Sequence, residues 1–397
     1  MNKATLIRFA TRAAVGTAAA AAFATSALAA DPVKVGLALD ISGPFAAGGA
    51  ETRDAINLAI KLLDSKLGGY PAEFIQADTA GNPDQAKQIV DRMIQQNKID
   101  FFTGVTPSNV ALAVGPALFA AKVPFITSNP GPSQYAGAQC NPYFFGNGYQ
   151  NDTWDEAAGK WATDQGIKSS FIIAPNYPAG RDHLTGYKRT YKGQIVAEVY
   201  GKVGQLDYAA EIAQIRAAKP EAVFFFLPGG MGINFIKQFV ASGLSKDVRL
   251  VTSPASADED TIAAVGEPML GLFSTSQWSH DLTNPANIKF VTEFRKAYNR
   301  YPTFYAAQAY DVIMSIDAAV RDVKGDVKNK DAVLKALKAA NYQSNRGPFK
   351  YGTNNFPIQD YYLRVIGKDN AGKITNKTLA TPLKGYQDAY VSQCKMK

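Results

Sequence analysis

Few side chains in this sequence are suited to covalent or metal chemistry. The 397 residues include two histidines, His183 and His280, and two cysteines, Cys140 and Cys394. Metal centres need closely spaced imidazole, thiolate or carboxylate groups; neither CxxC nor HExxH occurs, so no metal site is expected. Gly229-Gly230-Met231-Gly232 falls between a predicted strand and a predicted helix, where a phosphate-binding turn would sit. Its spacing is not GxGxxG, and the chain has no GxxxxGKS/T motif. Asp258-Glu259-Asp260 reads as the solvated start of a helix rather than an acid–base pair, and the two histidines read as structural or exposed. Neither enzymatic activity nor a cofactor is expected.

The amino terminus changes how the cysteines are read. Lys3, Arg8 and Arg12 precede an Ala-rich apolar run, Ala13 to Ala24, and then Ser26-Ala27-Leu28-Ala29-Ala30. A basic start, a short apolar core and small residues at the cut describe a secretory signal peptide, residues 1–29, with Ala30 the adjacent alternative for the cut. The apolar run is short for a membrane anchor, and no cysteine stands at the cut to carry a lipid. No later stretch reaches 18 uninterrupted apolar residues, so a soluble periplasmic protein is expected. In an oxidising compartment a Cys140–Cys394 disulfide is the expected pairing, with two unpaired thiols the alternative. Losing the leader's three basic residues lowers the net charge from +8 to +5. That excess forms no basic run, so nucleic acid is not an expected partner.

The remaining length suits two domains. Apolar strands are predicted at Val33–Leu39, Glu73–Ala77, Asp100–Thr103 and Val123–Thr127, with helices near 50–64, 83–97 and 109–121 between them. Asn82-Pro83-Asp84 is a helix start: the Asn side chain accepts a backbone N–H, Pro suits the first turn, and Asp meets the positive end of the dipole. A second series follows, with strands at 171–174, 194–200, 223–227 and 249–252 and helices near 180–192, 207–218 and 232–242. Helices near 285–300, 304–322 and 329–341 and strands at 347–351 and 361–366 complete the pattern. Alternating strands and helices mean parallel sheets, and two such series mean two α/β lobes with a cleft at the strand C-termini.

Several stretches match a known family in order: Val35–Gly49 (VGLALDISGPFAAGG), Asp78–Gln85 (DTAGNPDQ), Val123–Asn129 (VPFITSN), Pro175–Asp182 (PNYPAGRD), Phe235–Leu244 (FIKQFVASGL) and Tyr301–Asp311 (YPTFYAAQAYD). In these the sequence resembles the branched-chain amino acid (leucine/isoleucine/valine-binding) family of ABC-transporter periplasmic substrate-binding proteins. The resemblance implies a two-lobed type I periplasmic-binding fold, each lobe a mostly parallel sheet flanked by helices. It also implies three hinge crossovers, near 148, 277 and 348. The lobes would then be 30–148 with 278–348, and 149–277 with 349–397. The implied function is that of a monomer which closes on a small carboxylate and hands it to a membrane permease. A ligand-sensing module serving a receptor is the alternative of another class.

The same resemblance assigns pocket residues. Ser108 falls on the family's hydroxyl that grips the ligand carboxylate, in the loop Thr106-Pro107-Ser108-Asn109 ahead of a helix; an ordinary N-cap is its other reading. Ser128, Asn129 and Gly131 match the second ligand loop, and Tyr177, or Ala179 in its place, the aromatic wall of the second lobe. Pro228, Gly229 and Met231 should line the opposite side, with Phe45, Tyr149 and Ser253 as further lining. Amino acid binders of the family neutralise the ligand ammonium with an acid after the strand ending near Thr252. Here Ser253-Pro254-Ala255-Ser256-Ala257 stands there, and the first acid is Asp258. An unpartnered ammonium is costly to bury, so the expected ligand is an aromatic acid, a benzoate or cinnamate derivative as bound by some relatives. A branched-chain or other amino acid held through Asp258 or Asp40 is the alternative.

Overall fold

A computed structural model describes residues 31–396, and the predicted signal peptide lies outside the described residues. The first sheet contains β1 (Val33–Leu39), β2 (Lys66–Leu67), β3 (Tyr70–Asp78), β4 (Phe101–Gly104), β5 (Phe125–Ile126) and β6 (Phe144–Phe145). Their order is β2-β3-β1-β4-β5-β6, parallel except for the β2–β3 pair. Between the strands lie α1 (Ala46–Leu62), α2 (Pro83–Arg92), α3 (Ser108–Ala120) and the short α4 (Ser133–Ala136). As the sequence requires, Asn82 caps α2, its side chain accepting from the N–H groups of Asp84 and Gln85. Phe102, Phe125 and Phe144 meet edge to face behind this sheet, with ring centroids 5.0 and 5.3 Å apart along the series.

The second lobe runs α5 (Thr153–Asp164), β7 (Ser169–Pro175), α6 (Pro178–Thr190), β8 (Gln194–Gly201), α7 (Ala209–Ala218), β9 (Ala222–Phe225), α8 (Gly230–Ala241), β10 (Arg249–Thr252), α9 (Glu259–Val265) and β11 (Phe273–Ser276). The chain then returns to the first lobe as α10 (Pro285–Tyr298), α11 (Phe304–Asp322) and α12 (Lys330–Ala339), with α11 packed along α1. It finishes in the second sheet with β12 (Lys350–Tyr351), β13 (Pro357–Lys368) and β14 (Ile374–Tyr386). That sheet is ordered β12-β13-β11-β10-β9-β7-β8, with β14 paired antiparallel to β13. The chain therefore adopts the two-sheet α/β architecture expected from its sequence.

Three segments cross between the sheets, after β6, after β11 and after α12, and hydrogen bonds join them. The indole N–H of Trp154 donates to Gln277 Oε1 at 2.6 Å. Arg346 donates to the carbonyl oxygens of Asn147 and Gly148, the latter at 2.9 Å, and Gln359 Nε2 also reaches Gly148 O at 2.9 Å. The Gln308 side chain packs directly over Gly148, where a Cβ would stand 2.0 Å from its Oε1 and force it to shift. Cys140 and Cys394 are joined by a disulfide across 254 residues of sequence, tying the tail after β14 to the first lobe.

Two expectations are corrected. The helix predicted over 83–97 is α-helical only to Arg92; a π-helical turn at Met93–Asn97 ends it, closed by Lys98 in the left-handed region. Asp258-Glu259-Asp260 does begin a helix, α9, but is not solvated. Asp258 and Glu259 are 2% and 8% exposed. Asp258 accepts from the Arg364 guanidinium at 3.0 Å and from the Phe304 N–H. Glu259 accepts from Thr375 and from the Asn376 backbone. Burial is affordable because each carboxylate has several donors.

Burial lifts four carboxyl groups, Glu51, Glu156, Asp182 and Asp258, to about 7. Each folded-state value lies above the unfolded one near 4. At these four sites the folded chain binds more protons than the unfolded chain between roughly pH 4 and 7. They outnumber the two histidines, whose lowered values act in the opposite direction. Stability should therefore rise as pH falls from 8 to about 5.5, visible as a melting temperature several degrees higher at the lower pH. A melting temperature that is flat or falls over that range would contradict the assignment.

Candidate ligand-binding cleft

The loops after β4 and β5 and the start of α6 face one another where the crossings meet. Gly104 makes the turn out of β4 with φ of +111°, and a Cβ there would stand 2.1 Å from Ala38 O. The following loop is pinned by the buried Asp40, whose carboxylate accepts from the N–H of Thr106, the Thr79 hydroxyl and, at 3.0 Å, the N–H of Gly81. That loop leads into α3, whose first residue is Ser108. The N-cap position belongs to Pro107, so Ser108 does not cap the helix. Its hydroxyl oxygen instead accepts from Asn151 Nδ2 at 3.1 Å, leaving its own hydrogen free to donate.

Thirteen residues meet around a nearly filled space between the lobes, with about 10 Å³ of open room: those of the first lobe and crossings include Phe45, Thr106, Ser108, Asn129, Tyr149 and Tyr305. Tyr177, Ala179, His183, Phe226, Pro228 and Ala255 close it from the second lobe, and Asn151 lies between. Tyr177 spans the two walls, its ring centroid 6.0 Å from that of Phe45 and 6.4 Å from that of Phe226. Burial pushes the phenols of Tyr149, Tyr177 and Tyr305 well above their ordinary range, so each keeps its proton and remains a donor. The positive ends of α3 and α6 both start at this lining. None of the thirteen is acidic, and none is Lys or Arg; His183 is the one basic side chain among them. A larger depression of about 460 Å³ between α10 and β14 opens on the surface beside the exposed Ile288 and shares no lining residue with this cleft.

Eight of the residues assigned from sequence come together here: Phe45, Thr106, Ser108, Asn129, Tyr149, Tyr177, its alternative Ala179, and Pro228. Others do not line the space. The Ser128 hydroxyl donates to Gly104 O at 2.9 Å. Asn109 is one step further into α3. The Gly131 N–H donates to Asn151 Oδ1 at 2.9 Å, so it positions a lining residue. Gly229 turns the chain with φ of +60° into α8, and Met231 behind it accepts from the Gly204 N–H through sulfur. Ser253 is fully buried beneath Ala255 at the start of a 3₁₀ turn.

Sequence reasoning missed Asn151, His183, Phe226, Ala255 and Tyr305. His183 was readable: it lies four residues after Ala179 on α6, and such residues share a helix face. It is wholly buried, bonded through Nδ1 to Asp155 Oδ2 and stacked on Phe226 at 3.5 Å between ring centroids. Two buried lining atoms have no partner among the described residues, His183 Nε2 and Asn129 Oδ1. The Asn129 amide N–H is already given to Thr106 O at 2.7 Å.

Two lobes, three crossings and a closed polar cleft define a binding protein, and the chain belongs to the periplasmic binding protein family, whose model matches residues 32–372. It is an ABC-transporter solute-binding protein, of a family that serves transport rather than catalysis and works with membrane permeases in the periplasm. It is similar to Leu/Ile/Val-binding protein homolog 6 of Brucella melitensis, 27% identical over 90% of this chain and 93% of that one. Among solved structures it resembles a solute-binding protein from R. palustris in complex with benzoate, at 29% identity and TM-score 0.86 over 92% of this chain and 99% of that one. Another, from Rhodopseudomonas palustris BisB5 in complex with 3,4-dihydroxybenzoic acid, matches at 28% identity and TM-score 0.84 over 90% and 99%.

Proposed function

We propose that this solute-binding protein captures a single-ring aromatic carboxylate by closure of its two lobes. The observation that carries this reading is the lining itself: five hydroxyl groups, two Asn amides and two helix N-termini, with no acid. An anion leaves water only for several hydrogen bonds, and here they are supplied without a counter-charge. An ammonium group would need a carboxylate partner. The acids that flank the lining in sequence, Asp40, Asp152, Asp182 and Asp258, spend their oxygens on the protein.

Ser108 and the start of α3 hold the carboxylate, and Phe45, Tyr177 and Phe226 cover the ring. Burying about 150 Å² of ring at about 25 cal/mol/Å² supplies roughly 4 kcal/mol. The remaining ~4 kcal/mol of micromolar binding comes from the carboxylate bonds. The ligand couples the lobes because the closed form alone satisfies both ends of it. The R. palustris relatives with benzoate and 3,4-dihydroxybenzoic acid support the same class.

Thermal-shift and calorimetric titration with benzoate, 4-hydroxybenzoate and leucine tests the proposal. Stabilisation by leucine without stabilisation by either aromatic acid would overturn it. Ser108→Ala should weaken aromatic-acid binding tenfold or more, about 1.4 kcal/mol; unchanged affinity would remove Ser108 from the site.

A further inference from the structure

His183 is a buried imidazole set in the aromatic wall of the cleft. Phe226 stacks on it at 3.5 Å, Trp154 lies 5.7 Å away at 21°, and Asp155 holds Nδ1, so the ring cannot turn without losing all three. The remaining nitrogen, Nε2, is buried, unpartnered among the described residues, and belongs to a residue that lines the ligand space.

The protonation of Nε2 follows from counting. Asp155 is fully buried with Asp152 and Glu156 beside it, surroundings that disfavour a further negative charge. A dyad of zero net charge contains two protons. One lies in the Asp155–His183 hydrogen bond, whichever atom holds it, and the other is on Nε2. Burial pushes the Asp155 carboxyl well up and the imidazole well down, in keeping with the zero-charge pair. Nε2–H is therefore a fixed donor in the wall against which the ring packs, remote in role from the Ser108 end that takes the carboxylate.

We propose that His183, positioned by Asp155, recognises an oxygen substituent on the ligand's ring, making a hydroxylated aromatic acid the preferred solute over the unsubstituted one. This deepens the aromatic-acid reading and rests on it. The other unpartnered buried atom of the lining, Asn129 Oδ1, is an acceptor. The lining thus asks its ligand for a donor as well as for acceptors. A ring oxygen supplies the acceptor that Nε2–H lacks, whereas the ring of benzoate leaves that group buried without a partner. Sites built to bond a hydroxyl discriminate strongly against the analogue lacking it.

The test is calorimetric titration of the purified protein with 4-hydroxybenzoate and benzoate. The expected wild-type preference for 4-hydroxybenzoate is tenfold or more. In His183→Phe, which keeps the stack but not the donor, the ratio should fall to within twofold of unity, and His183→Gln, which restores an N–H, should regain part of it. A wild-type ratio near one, or a ratio that survives in His183→Phe, overturns the role. Should neither variant fold, ¹⁵N spectra of the wild type decide, because the chain has only two histidines and His280→Asn assigns them. His183 Nε2 should be of the protonated type at pH 7 and shift more with 4-hydroxybenzoate than with benzoate; an unprotonated Nε2, or equal shifts, overturns the proposal. Failure of both acids to bind, with leucine binding, would instead strike the aromatic-acid reading on which it stands.

Discussion

Ala255→Asp is expected to weaken benzoate binding at least a hundredfold. Ala255 follows β10 in a short 3₁₀ turn and lines the ligand space from the second lobe. Two like charges about 5 Å apart repel by roughly 3 kcal/mol at an effective dielectric of about 20, which is a factor of a hundred or more. Ala255→Asn, of the same size and uncharged, separates crowding from charge, and the aspartate variant should be the weaker by at least tenfold. Part of the loss should be recovered as pH falls, since protonating the new carboxyl removes the repulsion. Equal affinities in the Asp and Asn variants would show that the ligand's charge is not read at this wall.

Arg364→Leu should destabilise the fold by about 3–5 kcal/mol, the cost of leaving a buried charge without its partner. Arg364 is on β13 and fully buried, its guanidinium donating to Asp258 at 3.0 Å and to Ser274 Oγ at 3.2 Å. It pairs with the acidic start of α9 at Asp258, and it lowers that carboxyl against the upward push of burial. Without it Asp258 takes up a proton more readily, so the loss should be smaller at pH 5.5 than at pH 8. Adding Asp258→Asn should return part of the stability by removing the orphaned charge. Urea denaturation of the single and double variants measures all three quantities, and a single-variant loss under 1 kcal/mol would mean that the pair contributes little.

Much of the scaffold was legible because strands buried on both faces read as apolar runs. β1 and β9 follow hydrophobic segments such as Val33–Leu39, and α2 and α10 begin where Asn-Pro pairs stand. α5 was not legible: its buried face includes Asp155 and Glu156, which look like solvent residues until Arg189 and His183 are seen beside them. β14 was hidden for a related reason. It is an antiparallel strand rich in Lys, Asn and Thr, and its partner β13 rather than its own pattern identifies it. In the cleft, the residues read from sequence were those on loops after strands. His183 and Tyr305 belong to helices whose apolar faces disguise them as core, and Asn151 is placed by tertiary bonds to Ser108, Gly131 and Asp182.

The disulfide has a consequence for how the protein is made. Cys140 enters the oxidising compartment 254 residues ahead of Cys394, and the chain has no third cysteine to occupy it meanwhile. Closure must wait for the last turn of the polypeptide to cross and dock on the first half. The bond therefore acts as a seal on a finished molecule and gives no guidance during assembly; a truncated or stalled product carries a lone reactive thiol that quality control can detect.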